Sequence, residues 1–225
     1  QERIEALNPA MARLLGADIS SLRGRNWSAE FQARSNDRGD RLPNVLILNY
    51  VLQFRSGAQF FVNPYLESAG YNDLISRGNG LVRLPRRGSI YAEYSTPRLG
   101  RWQTEISGTV YQEGLAEDRA WELGGELTYF ASDSLTVNAS LAYTKSPDWL
   151  IWERDTLFGR FHREQVNSDL NLNWFPAAGH EFRVKLQWLA ITARALAQQS
   201  AAAETRMFGD ESIVDQATTD RLINP

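Results

Sequence analysis

Between Arg119 and Lys145 the chain reads RAWELGGELTYFASDSLTVNASLAYTK, and apolar and polar residues alternate along nearly all of it. Trp121, Leu123, Gly125, Leu127 and Tyr129 fall on one side of an extended chain, with Glu122, Gly124, Glu126 and Thr128 on the other. After Ala131, Ser132 and Asp133 the pattern resumes: Leu135, Val137, Ala139, Leu141 and Tyr143 against Ser134, Thr136, Asn138, Ser140 and Thr144. A period of two sustained this long specifies two strands and a tight turn, and no amphipathic helix reproduces it. Length narrows the choice further. An ordinary strand has about five or six residues, whereas a tilted membrane-crossing strand needs roughly nine to eleven.

The same pattern recurs on both sides of this hairpin. Strands are expected over Asn26–Arg34, Val45–Phe54, Gln59–Ser68, Ser89–Thr96, Arg101–Gln112, from about Gln165 to Trp174, and over His180–Ile191. Pro64 interrupts the third of these, which predicts a bulge or a missing ladder bond. Short turns at 55–58, 97–100, 131–133 and 175–179 alternate with longer links at 35–43, 69–88, 113–118, 146–160 and after 193. An up-and-down antiparallel sheet would therefore gather its short turns at one end and its long loops at the other, as outer-membrane barrels do. Aromatic residues collect beside the short turns (Phe54, Phe60, Tyr94, Trp102, Tyr129, Phe130, Trp174, Phe175, Phe182), and Trp27, Tyr111, Trp121 and Tyr143 lie nearer the other end. Two such girdles are what a bilayer interface selects.

The expected fold class is all-β: an antiparallel up-and-down, outer-membrane-type β-barrel segment of about nine long strands, incomplete because spanning bacterial barrels have an even number. Residues 1–25 read as a short helical or irregular lead-in, with Ile4, Leu7, Met11, Leu14 and Leu15 at helical spacing behind Asn8-Pro9. Residues 26–193 read as the barrel strands. Residues 194–225 read as a polar loop toward a missing strand, with a helical turn near Ala195–Glu204. A chain that starts with Gln1 and shows no export signal is expected to be an internal piece of a longer protein.

Composition removes some functions. A net charge of −3 gives no electrostatic footprint for nucleic acid. With no cysteine there is no thiolate metal site or disulfide. No apolar run approaches the roughly 20 residues of a spanning helix, which leaves barrels untouched because their strands alternate.

The runs GNGLVRLPRRGSIYAEYSTPRLGRW, WLIW at 149–152, and LNLNWFPAAGHEFRVKLQW closely resemble the C-terminal region of a large bacterial family of unassigned function. That family joins an N-terminal carbohydrate-binding module of the family-nine type to a C-terminal outer-membrane β-barrel. The resemblance spans most of residues 8–193 and is most specific at WLIW and NWFPAAGHE. It implies a barrel segment in the bacterial outer membrane, in contact with its lipid, within a larger exported protein. It also implies glycans as partners, through a module upstream of this chain, and an anchor or pore as the role. It supplies no catalytic motif, cofactor or metal site.

The candidate site residues follow from the alternation. Glu105, Glu122, Glu126, Asn167, Asp169, Arg183 and Lys185 are expected to face a hydrated lumen, with the arginine and lysine balancing the glutamates. Two carboxylates about 5–9 Å apart would also suit glycoside hydrolysis, so a carbohydrate-active hydrolase is the alternative reading. A soluble barrel binding an apolar ligand is a second. In the long links, Arg83, Arg86 and Arg87 form a basic cluster suited to an acidic sugar or a lipid phosphate, and Trp149 and Trp152 could stack on sugars. Asp148, Glu153, Asp155 and His162 gather near 146–160 without a metal-binding spacing such as HExxH.

Overall fold

The computed structural model describes residues 22–36, 39, 42–72, 74–115, 118–200 and 221–222. The helix expected within the first 22 residues lies outside them, as does most of the stretch after 200. The described chain is all strand and turn, with no helix among the described residues. In order the strands are β1 (Leu22–Gln32), β2 (Val45–Phe54), β3 (Gln59–Glu67), β4 (Gly70–Asn72), β5 (Val82–Leu84), β6 (Arg87–Ser95), β7 (Trp102–Gln112), β8 (Arg119–Ser132), β9 (Leu135–Arg154), β10 (Leu157–Ala177), β11 (His180–Ser200) and the two-residue β12 (Arg221–Leu222). All but β4 and β5 form one antiparallel sheet in sequence order, and β4 and β5 pair separately as a small hairpin. Among the described residues β11 meets only β12 on its far side, β1 meets nothing on its own, and no ladder joins the two ends of the sheet.

The hairpin at 119–145 forms, with Leu123 opposite Tyr143 and Leu127 opposite Ala139; Ala131 and Ser132, expected in the turn, still belong to β8, and the turn falls at Asp133–Ser134 after a bulge beyond Phe130. Pro64 stays in register with Ile90, so no bulge forms. The missing ladder bond is on the β2 side, where Asn63 Nδ2 donates to the Leu48 carbonyl at 2.9 Å, the acceptor a backbone N–H at Pro64 would have served.

Three expectations are corrected. Residues 146–160 are no long loop: β9 runs to Arg154, and β10 returns from Leu157 after a tight turn in which Asp155 has φ 44°. Its sequence hides this because WLIW is apolar on both sides and breaks the alternation. Residues 195–200 continue β11 and form no helical turn. The first strand starts at Leu22 and not Asn26, so the lead-in is shorter than expected.

As a result β9, β10 and β11, at 20, 21 and 21 residues, outreach the 9 to 14 residues of the other long strands except at the short-turn end. Pro147 and Asp148 lie opposite the single His162, a bulge at the base of this extension. The 69–88 link folds back against it: Val82, Leu84 and Phe158 are buried together, with Ile75, Leu115, Leu150 and Trp152 around them. A smaller cluster buries Leu52 beneath Tyr50, Phe54 and Phe60 near the short turns.

Candidate functional site

The sheet has two chemically distinct faces, set by register. One carries Trp27, Phe31, Leu66, Ile90, Tyr94, Trp102, Ile106, Val110, Leu123, Leu127, Leu141, Leu170, Trp174, Phe182, Val184, Leu186 and Trp188, all exposed. Ile106 is 62% exposed and Leu186 60%, values of surface residues at positions where a water-soluble sheet would pack its core. Aromatic rings pair across strands on this face: Trp102 with Tyr129 at 4.3 Å, Trp174 with Phe182 at 5.6 Å, and Trp121 with Tyr143 at 5.3 Å. On β9 and β10 the apolar band ends where Lys145 Nζ meets Glu164 Oε1 at 3.2 Å. From Trp174 to Val166 the band runs about 27 Å along β10 at roughly 3.4 Å per residue. That is close to the roughly 25 Å apolar height of a spanning barrel.

The opposite face is polar. Glu105 and Glu126 are direct cross-strand partners, and Glu93 lies diagonal to Glu105. Like charges directly opposite are destabilising, and the surrounding donors offset part of that repulsion. Asn138 Nδ2 donates to Glu126 at 2.5 Å and to Thr128 at 2.9 Å, Thr144 Oγ1 donates to Glu122 at 2.7 Å, and the Tyr91 hydroxyl donates to Glu93 at 2.5 Å. Asp169 accepts from Gln187 Nε2 at 2.6 Å. Asn49 donates to Ser28 and accepts from Asn63, at 3.1 and 2.9 Å. Asn167 accepts from Gln165 at 3.1 Å.

All seven expected lumen residues therefore sit on this one face, but the expected charge balance does not form. Arg183 pairs with Glu181 on its own strand, Lys185 stands exposed opposite Asn171, and both are on β11, away from the glutamates of β7 and β8. Sequence reasoning missed the side-chain bonds on this face: Thr144 lies directly opposite Glu122, whereas Asn138 reaches Glu126 diagonally, and only register reveals either.

At the long-loop end the polar face runs into a buried cluster. Arg160 Nε donates to Asp148 Oδ1 at 2.6 Å, and Asp148 is fully buried. Ser146, also buried, donates to Glu113; Arg163 lies 3.6 Å from the same carboxylate and donates to the Tyr111 hydroxyl at 3.3 Å. Gly114 presses against Asp148: a Cβ there would lie 1.8 Å from its Oδ2, and its φ of 83° already favours glycine.

The loop candidates divide. Trp149 lies under the Arg163 guanidinium at 4.9 Å and edge-on to Phe161, and Trp152 lies under Arg77 at 4.4 Å and donates its Nε1–H to the Asp155 carbonyl. One face of each ring is thus covered. Arg87 donates to the Gly114 carbonyl at 2.6 Å, and Arg83 extends from the small β4–β5 hairpin. Arg86 is exposed and has no partner among the described residues. Of the acidic residues near 146–160, Asp148 is held by Arg160, Glu153 accepts from Gln198, and His162 Nε2 lies 3.7 Å from Glu164; no metal-binding group forms among the described residues.

Comparison with protein-family models, curated proteins and solved structures found no match to this chain.

Proposed function

We propose that this chain is the membrane-spanning part of an outer-membrane β-barrel, acting as anchor or pore for an exported, glycan-associated protein. One observation carries the reading: large apolar side chains stand exposed on one face of every long strand except β2, while the polar face is joined by side-chain hydrogen bonds. Water penalises the first arrangement at about 25 cal/mol per Å² of apolar surface, and a bilayer does not. Strands of 9 to 21 residues and the aromatic pairs near both limits of the apolar band agree with it. A barrel also requires pairing for β1's outer edge and for the part of β11 beyond its two-residue contact with β12, both unpaired among the described residues, since unpaired backbone groups are not tolerated in hydrocarbon. The glycan association rests on the family resemblance alone. No second reading gains a specific observation, because Glu122 and Glu126 are already held by Thr144 and Asn138 on an open face.

Cell fractionation of the full-length protein, with gel mobility before and after boiling, tests the reading. Recovery in the outer-membrane fraction with a heat-dependent mobility shift is the expected result. Recovery as a soluble periplasmic protein overturns it.

A further inference from the structure

At the long-loop end the apolar face is notched. Phe31, Leu46 and Leu66 from three successive strands border a groove of about 450 Å³, within the range of small-molecule sites. Gly88 follows them in register, opposite Leu66. Having no side chain, it leaves a gap on this face: a Cβ there would touch Leu66 Cδ2 at 3.4 Å and approach Gln112 Oε1 at 3.9 Å. Arg86, Arg87, Asn44, Ser68, Glu67 and Gln112 also line it, with Val45 beneath.

The charges at the groove do not cancel. Among the described residues Glu67 is held by Arg34 at 2.9 Å, which leaves Arg86 and Arg87 as the excess, and of these two only Arg87 has a partner there, the Gly114 carbonyl. A cation with no counter-ion among the described residues therefore stands at the end of an apolar groove, beside the side-chain amides of Asn44 and Gln112, which have no side-chain partner among those residues. Apolar floor, guanidinium and neutral amides match three parts of one molecule: an acyl chain, a phosphate and sugar hydroxyls.

We propose that this groove binds a phosphorylated, acylated glycolipid of the outer leaflet, with an acyl chain over Gly88 and its phosphate on Arg86. The proposal rests on the membrane reading above, which places the long-loop end at the outer surface. Glycerophospholipids share the chain and the phosphate but not the sugar, so they are the competing occupant.

Native mass spectrometry of the full-length protein, released from its own membrane in mild detergent, tests this. The probes are a lipid A-type glycolipid, its enzymatically dephosphorylated form, and phosphatidylglycerol. Wild type is expected to carry the phosphorylated glycolipid in preference to the other two. Arg86→Ala is expected to weaken that adduct about tenfold through loss of a charge-assisted hydrogen bond. Gly88→Ile should do the same by filling the groove, since the backbone at Gly88 is not left-handed. Equal binding of phosphatidylglycerol or of the dephosphorylated form, or an adduct unchanged in both variants, overturns the proposal. Heat-dependent mobility of each sample separates the two levels: if it is retained while the preference is absent, the groove proposal fails and the membrane reading stands. If it is lost in wild type as well, both fail.

Discussion

At the level of single residues the two faces give opposite expectations for the same substitution. Leu123→Arg or Leu141→Arg puts a guanidinium on the exposed apolar face, 55% and 58% exposed in the wild type. In a bilayer this costs about 2–4 kcal/mol near the midplane. The folded, heat-shifted fraction in lipid vesicles is expected to fall accordingly, and in water alone such an exposed leucine would tolerate arginine. Thr109→Arg, on the polar face opposite Glu122, is expected to leave that fraction unchanged. At the buried pair, Asp148→Asn or Arg160→Met should destabilise the long-loop end by about 3–5 kcal/mol, because either change breaks the buried ion pair between them. Gly114→Ala should act at the same place by collision with Asp148. Limited proteolysis reads all three: cleavage is expected to appear first within residues 69–88 while the membrane-spanning strands stay protected.

At the level of elements, alternation made most strands legible. Where one side of a strand is apolar and the other polar, sequence shows the faces directly, as along Leu123–Tyr129 and Leu135–Tyr143. It failed where both sides are covered. Leu150 and Trp152 pack toward Val82 and Phe158, while Trp149 packs on Phe161, so WLIW reads as an unpatterned apolar run and its strand went unseen. The side-chain network was out of reach for another reason: Glu105 and Glu126 are distant in sequence, and only register makes them neighbours. The substitute bond at Pro64 gives a test at this scale. Asn63→Ala removes the donor to the Leu48 carbonyl and should cost about 1–2 kcal/mol, read as a lower midpoint of urea unfolding from vesicles. Asn63→Gln lengthens the side chain by one methylene and should recover less than half of that loss.

For the molecule as a whole, the apolar side chains among the described residues divide between a wide exposed face and two small clusters around Phe158 and Leu52. Packing in the usual sense is confined to the long-loop end and one patch near the short turns. The long strands between them owe their order to backbone ladders and side-chain hydrogen bonds. The turn at Asp155–Thr156 stands at the far tip of the β9–β10 hairpin, beyond the apolar band that ends at Lys145 and Glu164. Asp155 holds its positive φ without burial, so a short peptide can be spliced in there without disturbing a core. An epitope inserted at Asp155 should be stained on intact cells by antibody added outside. The same epitope at Ala178–Gly179, the opposite end of β10, should be stained only after the envelope is breached. That pair of insertions turns one tight turn into a compass for the whole protein, and a reversed result would mean that the chain is threaded the other way round.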